Sequence, residues 1–196
     1  MTASRYDADA IEDPYSYRGT NCLKNKLGLR DEELLQAFEL EMSTLRADEP
    51  LPKGRFGPTH YCRVHRHLFQ DVYRWAGRYR TIATSKGASV FCYPQFIERE
   101  MKRLFPALKG TPFFPGSHPD VFVTAAAEFL ATLNAIHPFR EGNGRSQLAF
   151  LHLIALRAGH PLGLQRIQPG DFLAAMVRSF QGENDLLTAQ LQALLA

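Results

Sequence analysis

Residues 137–148 read HPFREGNGRSQL and lie between two apolar segments whose spacing is helical. In this stretch Gly142 and Gly144 flank Asn143, and glycine accepts positive φ values that other residues resist. Successive backbone N–H groups in such a turn can face one side and bind an anion. A helix that opens at Ser146 would add the positive end of its dipole to the same pocket. The stretch therefore predicts an anion-binding turn at the start of a helix.

Three charged or titratable side chains accompany this turn. Arg145 offers a forked donor that suits phosphate oxygens. Glu141 supplies a hard oxygen ligand of the kind that binds Mg2+ beside a phosphate. His137 can accept a proton near neutral pH, because an unperturbed imidazole titrates at about 6.5. A histidine alone after an apolar helix is more often a capping or core residue, but the adjoining turn favours polyphosphate chemistry with a metal and a general base.

The stretch resembles the signature of the Fic family, His-x-Phe-x-Asp/Glu-Gly-Asn-Gly-Arg-x-x-Arg. It matches at every specified position except the last, where Leu148 replaces arginine. Residues 65–77 and 85–87 also resemble family segments and occur in the expected order. The resemblance covers roughly residues 10–195. It implies a single Fic-type helical domain over residues 1–196, with a short β-hairpin called the flap.

The periodicity of the chain independently predicts an all-α architecture with one hairpin. Asp31 is expected to cap the first helix, and Ser117-x-x-Asp120 resembles a capping box that opens the fourth. Helical patterns cover residues 31–49, 59–75, 95–108, 120–136, 146–158, 171–180 and 185–195. The predicted buried stripe of the first helix consists of Leu34, Phe38, Met42 and Leu45.

Residues 79–93 interrupt the helical pattern and predict a hairpin. Residues 80–84 and 89–93 are β-prone, and Lys86-Gly87 between them can turn the chain. In the Fic family the hairpin at this place pairs an extended segment of the target protein as an added strand. The alternative is a plain connecting hairpin with a solvated lysine at its tip, but the neighbouring signature favours the flap. The resemblance assigns target docking to Thr84, Ser85, Lys86, Gly87, Val90 and Phe91.

The resemblance also implies an activity. A bacterial protein adenylyltransferase of this family, acting as a toxin or effector, would transfer AMP from ATP to a Tyr, Thr or Ser hydroxyl of a target protein, with Mg2+. His137 would be the catalytic base, and Glu141 would bind Mg2+. The implied nucleotide-binding residues are Gly142, Asn143, Gly144 and Arg145.

Leu148 departs from this pattern. In the family the arginine at its position contacts the γ-phosphate and pairs with an inhibitory glutamate, and leucine can do neither. A lost charge-assisted contact is worth about 1.5–3 kcal/mol, or about one to two decades in affinity. The order of preference is a slower AMP transferase, an enzyme with another nucleotide donor, and a weakened Fic module that acts mainly as a binding partner. A kinase-like relative is disfavoured, because that group departs from the Gly-Asn-Gly turn retained here.

The inhibitory pattern of the family, Ser/Thr-x-x-x-Glu-Gly/Asn, occurs at residues 179–184. Gly182 lies in the middle of it, and glycine is unfavourable in a helix. A cap and loop between two helices is therefore the preferred interpretation. The expected inhibitor is then a separate small antitoxin that carries the inhibitory helix.

Composition bounds the class of protein. The 196 residues are 45% hydrophobic, as expected for one globular domain. The net charge of +3 comes without a block of like charges, so no nucleic-acid partner is expected. The cysteines are three in number and lie in no metal-binding spacing, which favours reduced thiols.

The beginning of the sequence predicts a frayed tail over residues 1–13, which is polar and acidic and lacks the apolar core of a signal peptide. No apolar run approaches the roughly 18 residues of a membrane span. We therefore expect a cytoplasmic protein without membrane association. Delivery into a host or competitor cell by a route without a signal peptide is compatible with this expectation.

Overall fold

A computed structural model of the chain describes residues 13–87 and 89–195. This part of the chain forms α-helices joined by short connections, with one two-stranded antiparallel hairpin. The helices are α1 (Glu32–Asp48), α2 (Pro58–Phe69), α3 (Pro94–Leu104), α4 (Pro119–Ile136), α5 (Asn143–Ala158), α6 (Pro169–Phe180) and α7 (Asp185–Leu194), and the strands are β1 (Ser85–Lys86) and β2 (Ser89–Val90). The predicted all-α architecture with a short hairpin is confirmed.

Helix α4 is the central element, and α3, α5, α6 and α7 all pack against it. Its buried residues are Phe122, Val123, Ala126, Ala127, Phe129, Leu130, Ala131, Leu133 and Ile136. By length and composition this helix is apolar enough to cross a membrane, contrary to the expectation that no such run exists. Half of it is buried by the other helices, as in the core helix of a bundle.

Helix α1 begins as predicted, and its stripe is half right. Asp31 Oδ1 accepts a hydrogen bond from Leu34 N at 2.9 Å, which confirms the N-cap. Phe38 and Met42 are partly buried against the core, whereas Leu34 and Leu45 are 59% and 54% exposed. The buried residues of α1 are Leu35, Glu39 and Ser43, two of which are polar.

Several predicted helix ends differ from the observed ones. Helix α2 ends at Phe69, well before residue 75, and a turn follows. The capping box is wrong: His118 is the N-cap of α4, and its ring accepts a hydrogen bond from Asp120 N. Ser117 donates to Pro112 O at 3.0 Å instead. Helix α5 begins three residues before the predicted Ser146, within the glycine turn.

The hairpin is shorter than predicted. Ser85 pairs with Val90 and Lys86 pairs with Ser89, so each strand has two residues. The expected strands over 80–84 and 89–93 are therefore wrong in extent. Lys86 belongs to β1 rather than to the turn, and Gly87 follows it with a φ of 56°.

Asp13, the last residue of the predicted tail, is bound to the fold. Asp13 Oδ2 accepts hydrogen bonds from Arg140 Nε at 3.0 Å and Nη2 at 2.8 Å, and both side chains are at most 10% exposed. The other carboxylate oxygen accepts from Tyr15 N. Asp13 is thus anchored to the signature stretch, and residues 1–12 of the predicted tail lie outside the described residues.

Candidate active site

A cavity of about 580 Å³ lies between α1, the hairpin and the start of α5. Its volume is in the range of small-molecule sites. Four predicted site residues line it, namely Glu141, Gly142, Gly144 and Arg145, together with Lys86 of the hairpin. The structure therefore brings most of the signature stretch to one cavity, with α1 as the opposite wall.

The turn ahead of α5 depends on one of its two glycines. Gly142 has a φ of 79° and a ψ of 10°, the left-handed region that favours glycine. A Cβ at this position would lie 2.4 Å from ring atoms of Phe69, so the close approach also requires glycine. Gly144 lies in the first turn of α5, where a Cβ would meet nothing within 4 Å. The predicted positive φ thus occurs at Gly142 and not at Gly144.

Asn143 uses its side chain inside the loop. Its Nδ2 donates to Phe139 O at 2.8 Å, and its Oδ1 accepts from Phe139 N at 3.0 Å. The residue is 1% exposed and does not line the cavity. Of the predicted nucleotide-binding residues, Asn143 therefore holds the turn closed and contributes its backbone at the helix start.

His137 is buried and is not among the residues that line the cavity. It follows α4 in the left-handed conformation, with φ 47° and ψ 62°. Its ring stacks on Phe91 at a centroid distance of 3.8 Å and is covered by it, with 7% of the residue exposed. Burial and, to a smaller extent, the positive charge of Arg80 lower the pKa of His137 to about 3. A hydrogen bond to the Asn134 backbone raises the pKa but does not offset these effects. The imidazole is therefore neutral near pH 7.

The predicted flap residues divide into two groups. Lys86, Gly87 and Val90 are exposed, and Ser85 is half-buried. Thr84 and Phe91 are buried, 3% and 6% exposed, so their side chains belong to the fold rather than to a free docking edge. The docking assignment is thus compatible with the tip of the hairpin and not with the side chains at its base.

The role of Arg80 was not predicted, because its segment was recognised only as β-prone. Its Nε donates to His137 O at 2.8 Å, and its Nη1 donates to Ile82 O at 2.6 Å. Its Nη2 donates to Cys92 O at 2.5 Å and to Ile136 O at 3.3 Å. One guanidinium therefore joins the backbone of His137 and the end of α4 to both sides of the hairpin.

His65 is a second residue whose role was not predicted, although it was expected to be buried. Its Nδ1 accepts from Gly77 N at 2.9 Å, so the hydrogen lies on Nε2, which donates to Glu141 O at 3.0 Å. Burial lowers the pKa of His65 to about 3, so the ring stays unprotonated near pH 7 and keeps this hydrogen-bonding pattern. Its ring stacks on Phe139 at 3.8 Å. His65 thereby fixes the backbone just before the glycine turn.

Arg145 is held by α1. Its Nη2 donates to the carboxylate of Glu39, and its Nη1 donates to Ser43 Oγ at 2.8 Å. The Tyr73 hydroxyl donates to the other oxygen of Glu39. The guanidinium carbon lies 4.7 Å from the centroid of the Phe69 ring. This network explains why Glu39 and Ser43 are buried on the inward side of α1.

Glu141 presents a carboxylate to the cavity. Its Oε1 accepts from Gly142 N at 2.9 Å and lies 3.9 Å from Arg145 Nη2. Within residues 13–87 and 89–195, no group of three or more His, Cys, Asp or Glu side chains gathers as a metal site. A cation at Glu141 would therefore take other ligands from its substrate and from water.

Two further sequence features lie away from the cavity. Leu148 is partly buried against the hydrophobic core and does not line the cavity. Glu183, within the inhibitory pattern, is exposed and pairs with Arg178 at 3.1 Å. Ser179 Oγ donates to Met176 O, and α6 ends at the next residue. Residues 179–184 thus form a helix end and a turn, in agreement with the preferred interpretation.

Comparisons with known proteins agree with the resemblance. The family model described as Fic/DOC family matches residues 55–155. The probable protein adenylyltransferase y4lH of Sinorhizobium fredii is 45% identical over 95% of this chain and 98% of its own length. The probable protein adenylyltransferase Fic of Salmonella typhimurium is 33% identical over 94% of this chain and 92% of its own length.

A solved structure shares the fold. The crystal structure of BepC, a VirB-translocated effector protein of Bartonella tribocorum with bound AMPPNP, superposes with a TM-score of 0.84 at 26% identity. The superposition covers 93% of this chain and 96% of that one. Signature, fold and relatives agree, and the chain belongs to the Fic/DOC family.

Proposed function

We propose that this chain is a protein adenylyltransferase that transfers AMP from ATP to a Tyr, Thr or Ser hydroxyl of a target protein. The observation that carries the proposal is the cavity in which the glycine turn, Arg145 and Glu141 meet, four residues after His137 in the chain. The relatives named as probable protein adenylyltransferases and the AMPPNP in BepC support the reaction and the nucleotide.

His137 serves as the general base. Its neutral imidazole takes the proton of the target hydroxyl while that oxygen forms a bond to the α-phosphorus of ATP. The bond from the α-phosphorus to the bridging oxygen breaks, and pyrophosphate leaves with that electron pair. Anionic phosphates near the ring favour its protonated form, so nucleotide binding raises the pKa of His137, which burial lowers in the free protein. Because His137 is 7% exposed, the side chains around the ring must move for the hydroxyl to reach its basic nitrogen.

The phosphates are held at the start of α5. Backbone N–H groups at a helix N-terminus bind anions, and α5 begins directly after Gly142. Arg145 adds a fixed positive charge at the same wall of the cavity. Donors held in place before the reaction stabilise charge that develops on the transferred and leaving phosphates.

The residues present fit Mg2+ bound together with the nucleotide. Glu141 supplies one carboxylate in the cavity, and Mg2+ commonly binds through one or two carboxylates and substrate phosphates. When bound, the ion would neutralise phosphate charge and orient the phosphate oxygens. Glu141 would hold it, and the hydrogen bond from Gly142 N to Oε1 sets the direction of that carboxylate.

The remaining expectations stay predictions. The tip of the hairpin, with exposed Lys86 and Val90, would dock the target. We also predict that the protein acts as a toxin or effector and that a small antitoxin controls it. A single domain over the whole chain and a cytoplasmic location are predictions as well.

A labelling experiment tests the proposal. The protein is incubated with ATP labelled at the α-phosphate, Mg2+ and a cell lysate. We expect label on a lysate protein, and we expect His137→Ala to abolish it because the base is lost. ATP labelled at the γ-phosphate should add no label to that of the lysate alone, where endogenous kinases act, which separates AMP transfer from phosphorylation by this protein. Wild-type protein that labels nothing across lysates of several sources would contradict the proposal.

A weakened module that acts mainly as a binding partner is the second candidate. Two observations favour it: Leu148 packs on the core at the place of the signature arginine, and the ring of His137 is covered. If residue 148 limits nucleotide use, Leu148→Arg should raise AMP transfer about 10- to 100-fold. Leu148→Gln, which is polar without the charge, is the control. Equal rates in the wild type and in Leu148→Arg would remove this explanation.

A further inference from the structure

Helix α1 contributes a buried carboxylate to the cavity. Glu39 is 2% exposed and lines the cavity together with Arg145. It lies outside residues 55–155, which match the family model. A buried carboxylate is costly unless charged or hydrogen-bonding partners satisfy it. The partners of Glu39 therefore indicate what this residue does.

Glu39 and Ser43 present a two-point support to one guanidinium. They lie one helical turn apart on the same face of α1. The terminal nitrogens of Arg145 each bond to one of them, Nη2 to Glu39 and Nη1 to Ser43. Tyr73 holds the second carboxylate oxygen, so the support itself is fixed.

The supported guanidinium remains available to a ligand. Arg145 lines the cavity and its side chain is 31% exposed while these bonds are made. A guanidinium has five N–H donors, so bonds to Glu39 and Ser43 leave donors for a phosphate oxygen. The bonds thus fix the plane of the guanidinium without withdrawing it from the cavity.

We infer that Glu39 is a positioning residue that orients Arg145 toward the phosphates of the nucleotide. This inference rests on the proposed function, in which Arg145 contacts the leaving phosphates. A fixed donor stabilises the transition state more than a mobile one, so the contribution of Glu39 belongs mainly to kcat. Arg145 also contacts the phosphates before reaction, so loss of its orientation should weaken ATP binding by a smaller factor and raise KM for ATP.

Steady-state kinetics test the inference. We expect Glu39→Ala to lower kcat about 10- to 100-fold, the value of a hydrogen bond to a charged group. Glu39→Gln should recover part of that loss, because its amide oxygen can still accept from Arg145 while its amide nitrogen can donate to the Tyr73 hydroxyl. Glu41→Ala, at an exposed position of the same helix, is the matched control with unchanged kinetics. A rise in kcat for Glu39→Ala would overturn the inference, because the carboxylate would then restrain Arg145.

Folding of the variants has to be controlled. The thermal midpoint and circular dichroism of each variant are measured first, since Glu39 is buried. If Glu39→Ala does not fold, Ser43→Ala removes the bond to the other terminal nitrogen and should lower kcat in the same direction by a smaller factor. Unchanged kcat in a folded Ser43→Ala and a folded Glu39→Gln would count against the inference.

A binding cycle needs no transfer activity. The Kd of AMPPNP is measured by calorimetry for the wild type, Glu39→Ala, Arg145→Ala and the double variant. If Glu39 acts through Arg145, its substitution changes Kd in the wild-type background and has no effect in Arg145→Ala. An equal change in both backgrounds means that the carboxylate acts directly by its charge, which overturns the inference. This cycle tests the role of Glu39 even if the wild type transfers no AMP. Absence of AMP transfer would refute the proposed function and leave the result of the binding cycle unaffected.

Discussion

At the scale of single residues, two glycines of one turn carry different constraints. Gly142 combines a positive φ with a contact to the ring of Phe69 that leaves no room for a Cβ. Gly144 has neither constraint, because it is helical and faces open space. The difference follows from the start of α5 at Asn143, which places the second glycine inside the helix.

The two alanine substitutions should therefore have opposite effects on stability. We expect Gly142→Ala to lower the free energy of unfolding by at least about 1–3 kcal/mol, because strain and overlap with Phe69 add. Gly144→Ala should raise it by up to about 1 kcal/mol, because alanine favours the helix. Urea denaturation measures both. Equal destabilisation by the two variants would contradict the assigned start of α5.

Residue roles were predictable from sequence where they are local. The glycine turn, Arg145 and Glu141 are consecutive, so their meeting in one cavity follows from adjacency. Glu39 and Arg80 bond to residues that are distant in the sequence. A sequence alone does not distinguish a charged residue that will be buried from an exposed one, because the burial depends on a partner that is not known. The hydrophobic stripe therefore predicted the inward Phe38 and Met42 but missed Glu39, whose burial depends on its ion pair with Arg145.

At the scale of elements, the hairpin and the end of α4 form one connected unit. Arg80 N donates to Pro138 O at 2.9 Å, and Cys92 N donates to Ala135 O at 3.0 Å. The Arg80 side chain adds bonds to carbonyls on both elements. These bonds replace the longer strand pairing that the β-prone sequence predicted. The hairpin base is thereby fixed relative to His137.

Arg80 should also influence the pH dependence of the reaction. Its charge lowers the pKa of His137, which burial already depresses to about 3. At ATP concentrations far below KM, where most of the enzyme is free of nucleotide, kcat/KM for ATP should therefore show no loss around pH 6.5, where an ordinary histidine titrates. Arg80→Met removes the charge and should move the acid limb to higher pH, whereas Arg80→Lys retains the charge and should move it less.

A pH–rate profile of the three proteins checks this expectation. Both variants also lose hydrogen bonds to carbonyls, so their thermal midpoints should fall. A wild-type limb near pH 6.5 would show that the His137 ring is not buried in the working enzyme.

Helices themselves were largely predictable, and their ends were not. Helices α6 and α7 occur close to their predicted positions, because polar turns bound a clear apolar period. Helix α2 stops at Phe69 although its apolar pattern continues. Beyond that point Gly77 N bonds to His65, so tertiary contacts decide where the helix ends.

At the scale of the whole molecule, the fold buries two neutral histidines near the site. His65 and His137 both have pKa values lowered to about 3, mainly by burial. In the unfolded chain each titrates at about 6.5. Their contribution to stability is therefore complete above pH 6.5 and is lost as the pH falls toward 3.

Acid should accordingly destabilise the protein through these residues. Each histidine that is protonated only in the unfolded state lowers the free energy of unfolding by about 1.4 kcal/mol per pH unit below pH 6. Urea denaturation at pH 7, 6, 5 and 4.5 measures the slope. His137→Ala should reduce it by about that amount. A slope unaffected by this substitution would mean that the ring titrates normally in the folded protein.

The ion pair between Arg140 and Asp13 bears on the exchange of signature loops between relatives. Arg140 occupies an unspecified position of the signature, yet its partner stands 127 positions upstream in the chain. A loop grafted from this chain onto another member would bring a buried guanidinium that needs a carboxylate at the recipient's corresponding place. Designers of such chimeras should therefore transfer Asp13 with the loop, or replace Arg140 by an uncharged residue.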